Sequence, residues 1–260
     1  MKRKLQSITS KLPAAVALIA ILVIWELLCV SGLVPAFMLP SPVAVFGALC
    51  KEMPFILEHA AITLREAVYG LSIGVILAFL MATVMNRFET VNKAFYPLMI
   101  ISQTIPTIAI APLLVLWMGF GMAPKITLVV LTTFFPITIG LLDGYKSVDK
   151  DEINLMRSMG ATRKQIFCHV KLPCALPHFF SGLKISASYA VVGALVSEWL
   201  GGFEGLGVYM TRVKKAYAFD KMFAVIIFIV VVSLLLMLFV VALRWLCLPW
   251  ERIKNTKLEN

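Results

Sequence analysis

The sequence predicts an all-α membrane protein with six transmembrane helices, and three observations lead there. Of its 260 residues, 60% are apolar and only 15% charged, with a mean hydropathy of +0.92; soluble domains carry roughly 25% charged residues. The chain is also divided by long charge-free runs, Ala67–Asn86, Ala94–Pro124, Ile126–Leu142 and Met222–Leu243. A helix needs about 20 mainly apolar residues to cross a bilayer core of roughly 30 Å. Finally, these runs lack the short period-two alternation that a transmembrane barrel requires.

The same composition narrows the function. The net charge of +10 would suggest nucleic acid in a soluble protein, but here basic residues flanking membrane spans account for it. Cys29, Cys50, Cys168, Cys174 and Cys247 are scattered, odd in number and without CxxC spacing, so neither a disulfide framework nor a zinc site is indicated. His59, His169 and His178 form no ligand cluster with them, and no metal site is expected.

The spans fall at roughly 12–31, 66–86, 97–117, 125–143, 178–200 and 222–245, within a single transmembrane domain covering residues 1–260. The first follows the basic tail MKRKLQS; it is long for a signal-peptide core and no small-x-small cleavage site follows, so an uncleaved span is expected. Next comes an external segment, Gly32–Arg65, opened by VPAFMLPSP. A short surface helix is expected from Pro42 to about Met53, with Ser41 as N-cap and Val45, Phe46 and Leu49 on its apolar face. Span 3 carries Pro106 and Pro112 and span 4 carries Pro136. Mid-membrane prolines bend helices and free carbonyls, which suits either a packing kink or the wall of a substrate path.

Threading six spans as hairpins puts both termini on one side. Sixteen Lys and Arg residues fall on that side and seven on the other, with Lys184 inside span 5. The positive-inside rule therefore places the termini and the loop 144–177 in the cytoplasm. The basic cluster Arg212, Lys214, Lys215 and Lys221 runs against this by lying outside.

The loop is organised. Asp149 is placed to cap a first helix, with Asp151 and Glu152 in the turn where negative charge favours the dipole. Ile153, Leu155, Met156 and Met159 give an apolar face, and Gly160 supplies a left-handed stop. A second helix begins at the capping box Thr162-Arg163-Lys164-Gln165, presents Ile166, Phe167 and Val170, and is expected to end at Leu172-Pro173. Two short helices meeting at a glycine elbow suit insertion into a groove on another protein or rest on lipid headgroups, and local physics leaves both open.

Span 5 ends at Glu198, beside Trp199 and the glycines Gly201, Gly202, Gly205 and Gly207. An acid at membrane depth faces a cavity or a partner by default, although one near the interface also reaches water; Glu26 in span 1 has the same two readings. The glycine run lacks the strand and spacing of a dinucleotide fingerprint and reads as a re-entrant external turn, a gate or docking surface. Lys184 is expected to snorkel outward.

The run Asn154–Pro173 resembles the signature loop of binding-protein-dependent ABC importer permeases, Glu-Ala-Ala-x3-Gly-x9-Ile-x-Leu-Pro. Aligned on Gly160, Val170 takes the Ile position and Leu172-Pro173 close the motif, while Asn154, Leu155 and Met156 stand where Glu-Ala-Ala would. LPSP at 39–42, Pro106…Pro112…Trp117-x-Gly119-x-Gly121, SGLKIS at 181–186 and EWLGGFEGLG at 198–207 are similar to the nitrate/sulfonate/taurine-type subfamily. Within it, LMRSMGATRKQIF and LPCALPHFFSGLKIS most resemble permeases for thiamine-precursor pyrimidines.

The resemblance implies a type I ABC importer permease fold, a homodimer, two cytoplasmic ATPase subunits and an external solute-binding protein. It implies that Asn154, Leu155, Met156, Met159, Gly160, Ala161, Val170, Leu172 and Pro173 couple to the ATPase. Pro106, Pro112, Glu198, Gly202, Gly205 and Gly207 are the expected path or gate residues. The cargo would be a small polar or ring-containing solute, either a thiamine-precursor pyrimidine or a sulfonate-, nitrate- or taurine-like anion. No GxxxxGK[ST] loop occurs, so ATP and Mg would belong to a partner chain and this chain would be no enzyme and carry no cofactor. The alternative from another class is a stand-alone carrier driven by protons or sodium through Glu26 and Glu198.

Overall fold

The structure, a computed structural model, describes residues 2–32, 34–35 and 38–250, and side chains at Pro13 and from Val16 onward. Among the described residues the regular structure is helical: α1 (Lys2–Val30), α2 (Pro42–Arg87), α3 (Glu89–Gln103), α4 (Thr107–Met118), α5 (Met122–Lys146), α6 (Lys150–Ser158), α7 (Arg163–Ile166), α8 (Leu172–Gly201), α9 (Leu206–Lys215) and α10 (Phe219–Cys247). A π-helical turn, Phe167–Lys171, joins α7 to α8.

Four helices are long and apolar enough to cross a membrane, Pro42–Arg87, Met122–Lys146, Arg163–Gly201 and Phe219–Cys247. A bent pair, α3 and α4, supplies a fifth crossing if its halves count together. In α1 the described apolar stretch is Val16–Val30. Among the described residues, length and composition support four or five crossings, and the first expected span, 12–31, lies partly outside the residues whose side chains are described.

Three boundaries differ from the expectation, each for a local reason. Ser41 does cap α2, its Oγ accepting from the Ala44 N–H at 3.2 Å. However, the helix does not stop near Met53: Pro54 lies inside it and it runs on to Arg87. Good helix formers after Pro54 and the burial of Ile56 and Ala60 hold it helical.

The expected single span 97–117 is broken. Its halves, α3 and α4, meet at 101°. Pro106 offers no N–H and disfavours the helical conformation at Ile105. The chain tightens instead, Thr104 N donating to Ile101 O at 3.0 Å and Ile105 N to Ser102 O at 3.3 Å. Pro112, by contrast, sits inside α4 without breaking it.

Leu172-Pro173 does not end a helix either. The wide turn Phe167–Lys171 shifts the hydrogen-bond register, with Leu172 N reaching Phe167 O. Pro173 then occupies the first turn of α8, where a missing N–H costs little.

The chain forms two compact units. The first comprises residues 1–58 and 209–228 and the second residues 59–208 and 229–260. In the first, Val45 and Ala48 of α2 pack against Ala224 of α10. Trp25 stacks at 5.8 Å on Phe223 and donates its indole N–H to Pro40 O at 3.1 Å.

In the second, α5 and α8 pack along one another with glycines at the seam. A Cβ on Gly144 would stand 2.6 Å from Ala175 Cα, one on Gly182 2.7 Å from Pro136 O, and one on Gly140 2.9 Å from His178 O. Lipid tails remove the hydrophobic drive between helices, so such backbone approach supplies the dispersion contacts that hold the pair. Ala78, Ala82 and Met85 of α2 join Ile137, Leu141, Leu183 and Ala187 in the core that results.

Candidate functional site

The elbow forms as its caps require. Asp149 accepts from Asp151 N at 2.9 Å to start α6. Thr162 Oγ1 accepts from Gln165 N at 3.4 Å while Gln165 Oε1 accepts from Thr162 N at 2.8 Å, completing the capping box. Between them Gly160 adopts φ +79°, and Ala161 N donates to Met156 O at 3.0 Å, closing the end of α6. The apolar side is left uncovered: Leu155 is 63% and Met159 75% exposed, while Met156 is half-buried. Asn154 is exposed, its carbonyl accepting from Ser158 Oγ. Ala161, Val170, Leu172 and Pro173 are half-buried, the last three where the chain enters α8.

At the far end of α8 the glycine turn is built around Glu198. This carboxyl is 1% exposed and accepts from Gly207 N at 2.6 Å and from Thr63 Oγ1 at 2.7 Å. Leu206 N donates to Thr63 Oγ1 at 2.9 Å and Gly205 N to His59 Nδ1 at 3.1 Å. Three consecutive N–H groups opening α9, which a helix cannot satisfy itself, thus find partners on α2 and α8. Gly205 has φ +114°, and a Cβ there would overlap the Glu198 carboxyl. A Cβ on Gly207 would stand 2.6 Å from Leu195 O, and one on Gly202 2.7 Å from Val208 Cγ2 and 2.8 Å from Glu198 O. Beside this lies a buried ion pair, Lys125 Nζ to Glu66 Oε1 at 2.6 Å. Glu66 and Glu198 are electrostatic neighbours, with the Lys125 ammonium bonded to Glu66.

Of the two readings for Glu198, the structure gives the one facing protein partners: the carboxyl is buried and hydrogen-bonded. His59, Thr63, Glu66 and Lys125 were missed. The sequence put the first two in an external segment, and Lys125 looked like an ordinary flanking cation. The available clue was spacing: residues 59, 63 and 66 lie on one helical face.

Where α3 breaks from α4, a cavity of about 580 Å³ opens, bordered by Pro106, Gln103, Thr132, Phe135, Tyr189 and Gly193 among others. No charged side chain lines it. Pro112 is exposed on α4 and is not among its lining residues.

In the first unit, Glu26 shares a cavity with Cys29, Tyr217 and Asp220 and buries one carboxyl oxygen without a hydrogen bond. Glu52 accepts from Tyr209 Oη at 2.8 Å and pairs with Lys221 at 2.6 Å. Burial first, and then the Glu52 carboxylate, raise the Tyr209 phenol above its ordinary value. One of the four cations of the 212–221 cluster is therefore neutralised. Lys184 is exposed on α8.

Gly70-Leu71-Ser72-Ile73-Gly74 spells a GxSxG pattern, but it lies inside α2, with no strand or turn to present the serine. Both glycines serve packing against Val129 and Thr133 of α5. No group of His, Cys, Asp and Glu suited to a metal occurs among the described residues.

The sequence profile of the family described as "Binding-protein-dependent transport system inner membrane component" matches residues 71–246. The chain is 36% identical over 253 residues to "Formylaminopyrimidine transport permease protein ThiX" of Halalkalibacterium halodurans, covering 97% of this chain and 99% of that one. It is 37% identical over 216 residues to a "Probable ABC transporter permease protein" of Haemophilus influenzae, covering 83% and 88%. Among solved structures, one of a bacterial ABC transporter involved in the import of the acidic polysaccharide alginate superposes with a TM-score of 0.63 at 20% identity, covering 93% of this chain and 98% of that one.

Proposed function

Since the chain belongs to the family of inner-membrane components of binding-protein-dependent transport systems, we propose that it is the permease subunit of an ATP-driven importer whose motor seats on the Gly160 elbow. It is a multi-pass membrane protein of an ABC importer and hydrolyses no ATP itself; that work belongs to a separate ATPase, and an external binding protein delivers the cargo. The observation that carries the coupling role is an exposed apolar ridge, Leu155 and Met159, along α6 and its C-terminal end, in an elbow capped at Asp149 and Thr162. A buried side chain would explain itself by packing, whereas an uncovered ridge on a capped scaffold suits a groove on another protein.

Two ATPase subunits and a second permease copy complete the proposed assembly, with both termini and the elbow in the cytoplasm. Closure of the motor then shifts the permease between outward and inward states only as far as its affinities for the two differ. The elbow must therefore be stiff, and its caps provide that. The cavity at the α3–α4 break is the proposed path. Its uncharged lining, with Phe135, Tyr189 and the Gln103 amide, suits a ring-containing polar solute better than a sulfonate or nitrate. The named cargo of the formylaminopyrimidine relative supports the same choice.

Co-expression with the ATPase tests this. Met156→Asp with Met159→Asp should abolish ATPase co-purification and ATP-driven uptake in proteoliposomes, while membrane accumulation stays at wild-type level. Unchanged capture and uptake would remove the elbow from the mechanism. Uptake by the chain alone, driven by an ion gradient, would replace the whole reading.

A further inference from the structure

Between the C-terminal end of α2 and the elbow lies a recess of about 570 Å³ with an unusual charge. Arg87, Arg157, Arg163, Lys164 and Lys171 line it, and no acidic side chain does. None of the five pairs with a carboxylate among the described residues. Lys171 is half-buried, donates to Asn86 Oδ1 at 3.0 Å, and feels the like charge of Arg157. Five cations around one concavity repel one another unless an anion enters.

We propose that this recess is a binding site for a phosphate-bearing anion, namely the headgroup of an anionic phospholipid of the leaflet next to the elbow. Depth selects the lipid over free phosphate. Arg87 directly follows the charge-free run Ala67–Asn86, and Lys171 precedes the expected start of span 5 by about 10 Å of helix. The recess therefore opens at headgroup level. Its apolar wall, Ile166 and Phe167, faces the same space and suits the glycerol and first acyl carbons. Basic recesses between membrane helices on the cytoplasmic side bind such headgroups by charge. Arg157 and Arg163 flank Gly160 on either side, so an occupied recess would brace the elbow against α2.

The proposal uses the membrane placement of the function above, not its motor. The full chain is purified in an uncharged detergent with equal amounts of cardiolipin, phosphatidylglycerol or phosphatidylcholine, and retained lipid is read by native mass spectrometry. Both anionic lipids should be retained about tenfold or more above phosphatidylcholine. Arg163→Gln with Lys164→Gln should remove most of that excess. Lys214→Gln with Lys215→Gln, an equal charge loss elsewhere on the exposed surface, should leave it intact. Resistance of the bound lipid to millimolar inorganic phosphate supports the headgroup; displacement by phosphate keeps the anion site but overturns its lipid occupant. Equal retention of all three lipids or equal losses in both double variants overturns the site, and expulsion of lipid on ATPase binding overturns its bracing of the elbow. Failure of the wild-type chain to capture the ATPase would instead overturn the motor reading and leave lipid retention unaffected.

Discussion

Gly160 and Glu198 show two ways in which one residue sets a functional geometry. At Gly160 no atom lies within 4 Å of a would-be Cβ, so only the left-handed backbone restricts substitution. A side chain there costs about 1–2 kcal/mol, and Asn bears the conformation best. Gly160→Asn should keep most ATP-driven uptake, whereas Gly160→Val should lose most of it with little change in melting temperature. Equal uptake by the two variants would mean that the turn's conformation is irrelevant to coupling. At Glu198 the constraint is the reverse, because the carboxyl holds donors from two places. Glu198→Ala removes the Glu198 acceptor of Gly207 N–H and leaves the Thr63 hydroxyl only its longer bond to His59 O in a buried site, costing about 2 kcal/mol. Glu198→Gln retains one acceptor and should melt measurably higher than Glu198→Ala in detergent. Both residues stood out in the sequence, the glycine by its place after an amphipathic turn and the glutamate by its membrane depth. Thr63, 135 positions away, did not. No local pattern pairs residues that meet only after the helices pack.

Among the elements, helix starts were more legible than helix ends. Asp149, Thr162 and Ser41 all cap as read, because an N-cap is a local hydrogen bond between neighbours in sequence. Prolines misled in both directions. Pro54 and Pro173 stay within or at the start of helices, while Pro106 breaks one, and what decides is whether packing and register compensate the lost N–H. The α5–α8 seam gives an element-level test. Gly182→Leu forces a side chain into Pro136 O and should cost about 3 kcal/mol or more, read as loss of the monodisperse peak in fluorescence-detected size exclusion. Ser181→Leu, one position along and exposed, should keep that peak. Similar behaviour of the two would show that close approach at Gly182 does not hold the pair.

For the whole molecule, charge asymmetry makes the testable statement. With sixteen basic residues on one side and seven on the other, the proposed topology puts Cys168 inside and Cys50 outside; both thiols are exposed. In single-cysteine variants, a membrane-impermeant maleimide should label Cys50 in intact cells and Cys168 only in inverted vesicles. The opposite pattern would invert the topology and put the elbow beyond reach of any cytoplasmic motor. By itself the sequence determined the membrane class, the capped elbow and the family, because hydropathy, capping and motif spacing are written between near neighbours. Only the tertiary structure decided that α3 and α4 part at Pro106 around an uncharged cavity. Only it showed that Glu198 ties α9 to α2, and that five cations from α2, α6, α7 and the π turn share one recess. Those arrangements join residues tens to more than a hundred positions apart, and distance along the chain carries no record of which helical faces will meet.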